Sequence, residues 1–198
     1  YALPTLDNTN APVTISVATL TPTLTNAGVT KVYDSTTDAP AGFTPTYSYA
    51  GLVSGDTAAT LANTGTAYND KDVLDANKIT VSGISISGIT GGNSSVSSDY
   101  VLNATTKDVA ATITAKTVTL SGSRIYDGTT SLTGNVTLAT GIGGEALTYS
   151  GATASDAHVA TANKYINAIT LNDNGAVLAS DYALPTLDNT NAPVTISV

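Results

Sequence analysis

The sequence predicts an all-β protein, a sandwich or barrel of short strands built from repeated units. Three observations carry that expectation. Thr, Val, Ser, Ala, Gly and Asn dominate a chain of 198 residues in which only 11% are charged, a balance that favours pleated half-buried surfaces and turns over long helices. The apolar residues fall in short alternating runs separated by turn signals, as strands of a sandwich or barrel require. Finally, pieces of the sequence recur in order, the mark of a repeat architecture.

The first element is itself a repeat. Residues 1–17, YALPTLDNTNAPVTISV, return letter for letter as residues 182–198. They are expected to be the closing segment of a preceding repeat, with a long period of 181 residues. As ordered residues they would need partners for their backbone groups, either as a strand packed on the first module or docked on a neighbouring molecule.

Within the long period, motifs pair in sequence order. KVYDSTT (31–37) answers RIYDGTT (124–130), and GTAYNDKDV (65–73) answers GATASDAHV (151–159). ANK recurs at 76–78 and 162–164, and SDY at 98–100 and 180–182. Each unit closes on a β-like segment, VAATITA (109–115) or APVTISV (192–198). The expected modules are therefore 18–116 and 117–198, with no flexible linker between them.

Local patterning justifies the strands. In KITVSGISISGIT, Ile79 and Val81 share one face and Ile84 and Ile86 the other, so a bulge or bend is expected at Gly83. At the module boundary Val109, Ala111 and Ile113 alternate on odd positions while Val118 and Leu120 take even ones, which suits a strand passing between cores. SGD (54–56), TGG (90–92), YDG (126–128) and NDNG (172–175) supply turns.

The ordered set of K/R-hydrophobic-YD-G/S-TT, the GDT turn at Gly55–Thr57 and the SDY-to-TIT ending resembles the YDG-type bacterial immunoglobulin-like repeats of filamentous-haemagglutinin-like large adhesins. That resemblance implies an all-β fold of tandem immunoglobulin-like β-sandwich modules joined into an elongated rod, serving as stalks in surface or secreted proteins. Two departures stand out. Ser35 replaces Gly128, which argues against a strict need for positive φ there, and the GDT turn has no evident counterpart in the second module. Tyr33 with Asp34, and Tyr126 with Asp127, are expected to form structural corners, the ring buried and the carboxylate bonding the turn amides. Lys31 and Arg124, which precede them, are expected to be solvated charges.

Several chemistries find little support. There is no Cys, so thiol catalysis, disulfides and thiolate metal sites are excluded together. His158 is the single histidine and Glu145 the single glutamate, so no His-based dyad or obvious carboxylate pair is assembled and no enzyme is expected. Seven Lys and Arg against fifteen Asp and Glu leave a net charge of −8, which repels nucleic acid and anionic membrane surfaces. No cofactor is expected. If calcium binds, Asp70, Asp72 and Asp75 are its first candidates, although the Ca²⁺-loop spacing is missing. Lys78 and Lys164, beside Asp70 and Asp156, are the residues to examine for an isopeptide crosslink.

The expected function is mechanical: an extracellular stalk or spacer, on a bacterial surface or secreted, projecting a distal binding region and contacting neighbouring repeats of its own polypeptide. The competing expectation is an adhesive module that binds a host or surface glycan or protein through exposed tyrosines such as Tyr47, Tyr49, Tyr68 and Tyr165, although the same four suit core or cross-strand positions equally well.

Overall fold

The computed structural model of the chain describes residues 1–198, and it is all-β, with several sheets and no α-helix. Sixteen strands follow one another: β1 (Ala18–Leu24), β2 (Val29–Val32), β3 (Tyr47–Ala50), β4 (Asp56–Ala62), β5 (Gly65–Tyr68), β6 (Lys78–Ser82), β7 (Ser85–Gly91), β8 (Tyr100–Leu102), β9 (Lys107–Thr114), β10 (Lys116–Thr117), β11 (Thr119–Ile125), β12 (Val136–Ala139), β13 (Thr148–Ala154), β14 (Ile166–Asn172), β15 (Tyr182–Ala183) and β16 (Val194–Ser197). Two single 3₁₀ turns, Ser97–Asp99 and Ala179–Asp181, precede β8 and β15. No helix is long and apolar enough to cross a membrane.

The chain forms two compact units that interleave along the sequence. One comprises residues 1–27, 42–66 and 80–109; the other comprises 28–41, 67–79 and 110–198. In the first, β1 lies between an antiparallel β3 and a parallel β8, and β4 pairs with β7. Leu20, Val81, Ile84 and Tyr100 fill its interior. In the second, β11 lies between an antiparallel β12 and a parallel β16, β13 pairs with β14, β10 with β15, and β2 runs parallel to the end of β9. Tyr33, Ile79, Ile113, Val118, Leu132, Ile166 and Ile196 are among its buried side chains.

The internal repeat is visible strand by strand. Val29–Val32 pairs in parallel with Ala111–Thr114, and Gly122–Ile125 pairs in parallel with Val194–Ser197. Likewise Ala18 opposes Tyr100, and Lys116 opposes Tyr182. Parallel pairing of neighbours so far apart in sequence needs long crossovers. Here each repeat places its opening strand against its own closing strand.

Two sequence expectations need correction, and a third is met in one of its two forms. Residues 1–17 form no strand and are exposed throughout; their only ordered local feature is a turn in which Asp7 accepts amide bonds from Thr9 and Asn10. The irregularity expected at Gly83 (φ 63) takes the form of a bend: it separates β6 from β7, which belong to different sheets, so the phase change in the apolar pattern is a change of sheet. A Cβ there would stand 1.9 Å from the Thr64 hydroxyl. Ser35 adopts φ 62, matching Gly128 at φ 80, so the turn keeps its positive φ despite the substitution.

Candidate functional site at the repeat junction

The YD corner is built as a relay from the basic residue to the turn. Asp34 Oδ1 accepts the Thr36 amide at 3.0 Å and the Thr36 hydroxyl at 2.9 Å, while the Lys31 ammonium reaches it at 2.6 Å. Partial burial opposes ionisation of Asp34, but the Lys31 and Thr36 donors outweigh it and hold the carboxyl below its usual range. In the second repeat Asp127 Oδ1 accepts the Thr129 amide and hydroxyl, each at 2.9 Å, and pairs with Arg124. Lys31 and Arg124 are thus not solvated: their side chains are almost fully buried, and each also donates to a loop carbonyl, of Thr36 and Ser131 respectively. Lys31 additionally stands 5.4 Å over the Tyr68 ring.

The two corner tyrosines differ sharply. Tyr33 is 1% exposed and Tyr126 is 47% exposed. Both donate their amide at 2.8 Å to the closing strand, Tyr33 to the Thr114 carbonyl and Tyr126 to that of Ser197. What differs is the next repeat. The Tyr33 hydroxyl donates to Glu145 at 3.1 and 3.2 Å from its two oxygens, and its ring meets Tyr182 edge-on at 5.4 Å. Tyr182 also donates to Glu145. Burial first, and then the Glu145 carboxylate, push both phenols well above their ordinary value. Asp181, fully buried, accepts the Val73 amide on Oδ1 at 2.8 Å, and its Oδ2 has no partner. Desolvation raises the Asp181 carboxyl above its usual value. All these residues belong to the second compact unit, yet Tyr33 and Val73 come from the first sequence repeat and Glu145, Asp181 and Tyr182 from the second. The cluster is the joint between repeats.

Glu145 has a counterpart that the sequence alone did not reveal. Asp56 of the GDT turn follows Gly55 (φ 100) as Glu145 follows Gly144 (φ 84). The Asp56 amide donates to the Val53 carbonyl and the Glu145 amide to that of Ile142, closing equivalent turns. In the first unit the Tyr100 hydroxyl donates to Asp56 Oδ2 at 2.6 Å, as Tyr182 does to Glu145. That bond holds the Asp56 carboxyl below its usual range. The GDT turn therefore recurs as the GE of GIGGEALT. The signal was a glycine followed by an acid ahead of a strand, hidden by the change from Asp to Glu.

The other candidate residues lie elsewhere. Asp70 Oδ1 accepts the Asp72 amide at 2.9 Å, and Asp72 pairs with Lys71, so these carboxylates are spent on a local turn. No group of three or more His, Cys, Asp or Glu side chains is gathered to hold a metal ion, and Asp75 joins no such set. Lys164 is buried and donates to the Val159 and Thr161 carbonyls, while Asp156 bonds His158. Of the four tyrosines that the adhesive alternative needs exposed, Tyr68 is buried with its hydroxyl on the Thr112 carbonyl at 3.0 Å. Tyr47, Tyr49 and Tyr165 are half-buried, and the Tyr47 hydroxyl is enclosed without a partner.

Comparison with protein families finds a YDG domain at residues 14–107. This corrects the resemblance read from the sequence: the family found is the YDG domain, not the immunoglobulin-like repeats of filamentous-haemagglutinin-like adhesins. No curated protein and no solved structure matches the chain. The match covers most of the first repeat, including Tyr33, Asp34, Asp56 and Tyr100, and stops short of its closing segment.

Proposed function

We propose that the chain is a structural spacer, a segment of a tandem array whose β-modules are joined end to end into an extended rod and hold other parts of an extracellular protein apart. The observation that carries this reading is the joint. Tyr33 of one repeat is wholly buried against Tyr182 and Glu145 of the next, and the chain passes between them through only Ala115, from β9 to β10. A flexible tether has no use for a buried aromatic pair and a shared carboxylate, whereas a spacer that bears load needs fixed angles between modules. The net charge of −8 on a surface rich in Thr, Ser and Asn keeps like copies apart and makes nucleic acid an unfavourable partner.

The parallel pairing of opening with closing strands supports the same reading. Force applied along such a chain pulls β2 against β9 and β11 against β16 lengthwise, loading their hydrogen bonds together. Single-molecule pulling tests it. Discrete, repeated unfolding events and an extended scattering profile are expected; featureless extension or a compact particle overturns it. Specific binding to a glycan array would instead favour the adhesive alternative.

A further inference from the structure

The first unit carries the receiving half of a joint. Tyr100, Asp56, Val53 and Asp99 stand where Tyr182, Glu145, Ile142 and Asp181 stand in the observed joint. A cavity of about 230 Å³ opens beside them, lined by Ile15, Val17, Val53, Ser95, Asp99 and Tyr100 among others. Asp56 is nine-tenths buried, and its Oδ1 accepts no well-formed hydrogen bond, although the Ser95 and Asn93 side chains join Tyr100 in favouring its charge. Glu145, by contrast, uses both oxygens, accepting from Tyr33 as well as Tyr182. A buried carboxylate oxygen without a donor is costly, so the missing donor needs an explanation.

The repeat supplies one. In the observed joint Tyr33 bonds the Thr114 carbonyl, and two residues later Lys116 opposes Tyr182. In the second repeat Tyr126 bonds the Ser197 carbonyl. Ser197 is identical in context to Ser16, and two residues after Ser16, Ala18 opposes Tyr100. The same relay therefore carries Tyr126 of a copy preceding Ala18 to the cavity beside Tyr100. We propose that this cavity is the seat of the Tyr126 ring from a second copy of residues 117–198, with the Tyr126 hydroxyl donating to Asp56 Oδ1. The Val159 amide of that copy then faces Asp99, as the Val73 amide bonds Asp181. The half-exposed Tyr126 ring is thus the free plug of one joint and the Tyr100 cavity the socket of another.

This rests on the spacer reading for its biological sense but is tested apart from it. Two copies are joined in register, residues 1–198 followed by 18–198, and treated with tetranitromethane, which nitrates accessible tyrosine rings. In the 198-residue chain Tyr126 is nitrated; in the two-copy protein only one of its two Tyr126 residues is expected to be. Nitration of both at the single-chain rate overturns the proposal. As an independent measure, Tyr126→Ala in the first copy is expected to lower the melting temperature of the two-copy protein while leaving the single chain unchanged. Equal effects in both proteins overturn it. Failure of the spacer reading shows separately, as the absence of discrete unfolding events under force even where Tyr126 is protected.

Discussion

At residue scale, Ser35 shows how a single conformational demand outlives a change of side chain. The turn after the YD pair requires the left-handed region, which a residue with a Cβ enters at a cost of roughly 1–2 kcal/mol. The second repeat meets the demand with Gly128, and the first accepts the penalty with Ser35 at φ 62. A Cβ at Gly128 would meet no atom within 4 Å, so a substitution there probes backbone conformation alone. Ser35→Gly is therefore expected to stabilise the protein by up to about 1 kcal/mol, the relief of strain being partly offset by the freer unfolded chain. Gly128→Ser is expected to destabilise it by a similar amount. Chemical denaturation of both variants checks this; a loss of stability in Ser35→Gly would mean that the Ser35 side chain contributes a contact worth more than the strain.

At the scale of elements, the joint works because one carboxylate serves two tyrosines from different repeats. Removing the Tyr33 hydroxyl takes a donor from Glu145 while keeping the ring edge on Tyr182. A hydrogen bond to a charged group contributes about 1.5–3 kcal/mol, so Tyr33→Phe is expected to lower stability by about that amount at neutral pH. The pH dependence follows from the raised phenols. A tyrosine whose folded pKa lies above its unfolded value near 10 stabilises the fold fully below pH 10 and loses that contribution as the pH rises beyond it. The wild type is then expected to lose stability steeply in alkali and Tyr33→Phe less so, which unfolding curves across that range measure; parallel profiles would remove Tyr33 from the account. Much of this element was legible beforehand. The order of the YD, SDY and TIT motifs identified the repeats, and alternation located the buried faces of β9 and β11. Glu145 was not legible, because its equivalence to Asp56 lies in backbone geometry after a glycine and in a shared tyrosine partner, neither of which a residue-by-residue comparison of Asp with Glu exposes. Lys31 and Arg124 were misplaced for a related reason: their basic heads signal solvent, but their stems and donors are drawn inward by the turn they close.

At the scale of the whole molecule, one sequence occurs in two environments. Val13 and Ile15 are 84% and 92% exposed, whereas Val194 and Ile196, the same residues of the same 17-residue segment, are 7% and 4% exposed. The difference is the partner: β16 has the parallel edge of β11, and residues 12–17 have none. The same segment thus forms a strand where the parallel edge of β11 is beside it. Deleting residues 1–17 is accordingly expected to leave the thermal unfolding of the protein unchanged. Ending the chain at Asp181 removes Tyr182, Ala192, Val194 and Ile196 from the interior of the second unit. At about 1.5–3 kcal/mol for each large apolar side chain, that loss rivals the 5–15 kcal/mol that holds a typical domain together, so the second unit is expected to unfold. If residues 1–17 can instead take the place of the missing strand, the shortened chain regains stability only in proportion to its concentration or through its own N-terminal segment. Removing both segments separates these outcomes. Circular dichroism melts of the four proteins should show the intact and N-terminally shortened forms at equal stability, with both C-terminally shortened forms far below. A C-terminal deletion that melts like the intact protein, with residues 1–17 also removed, would mean that β16 is not needed to hold the module closed.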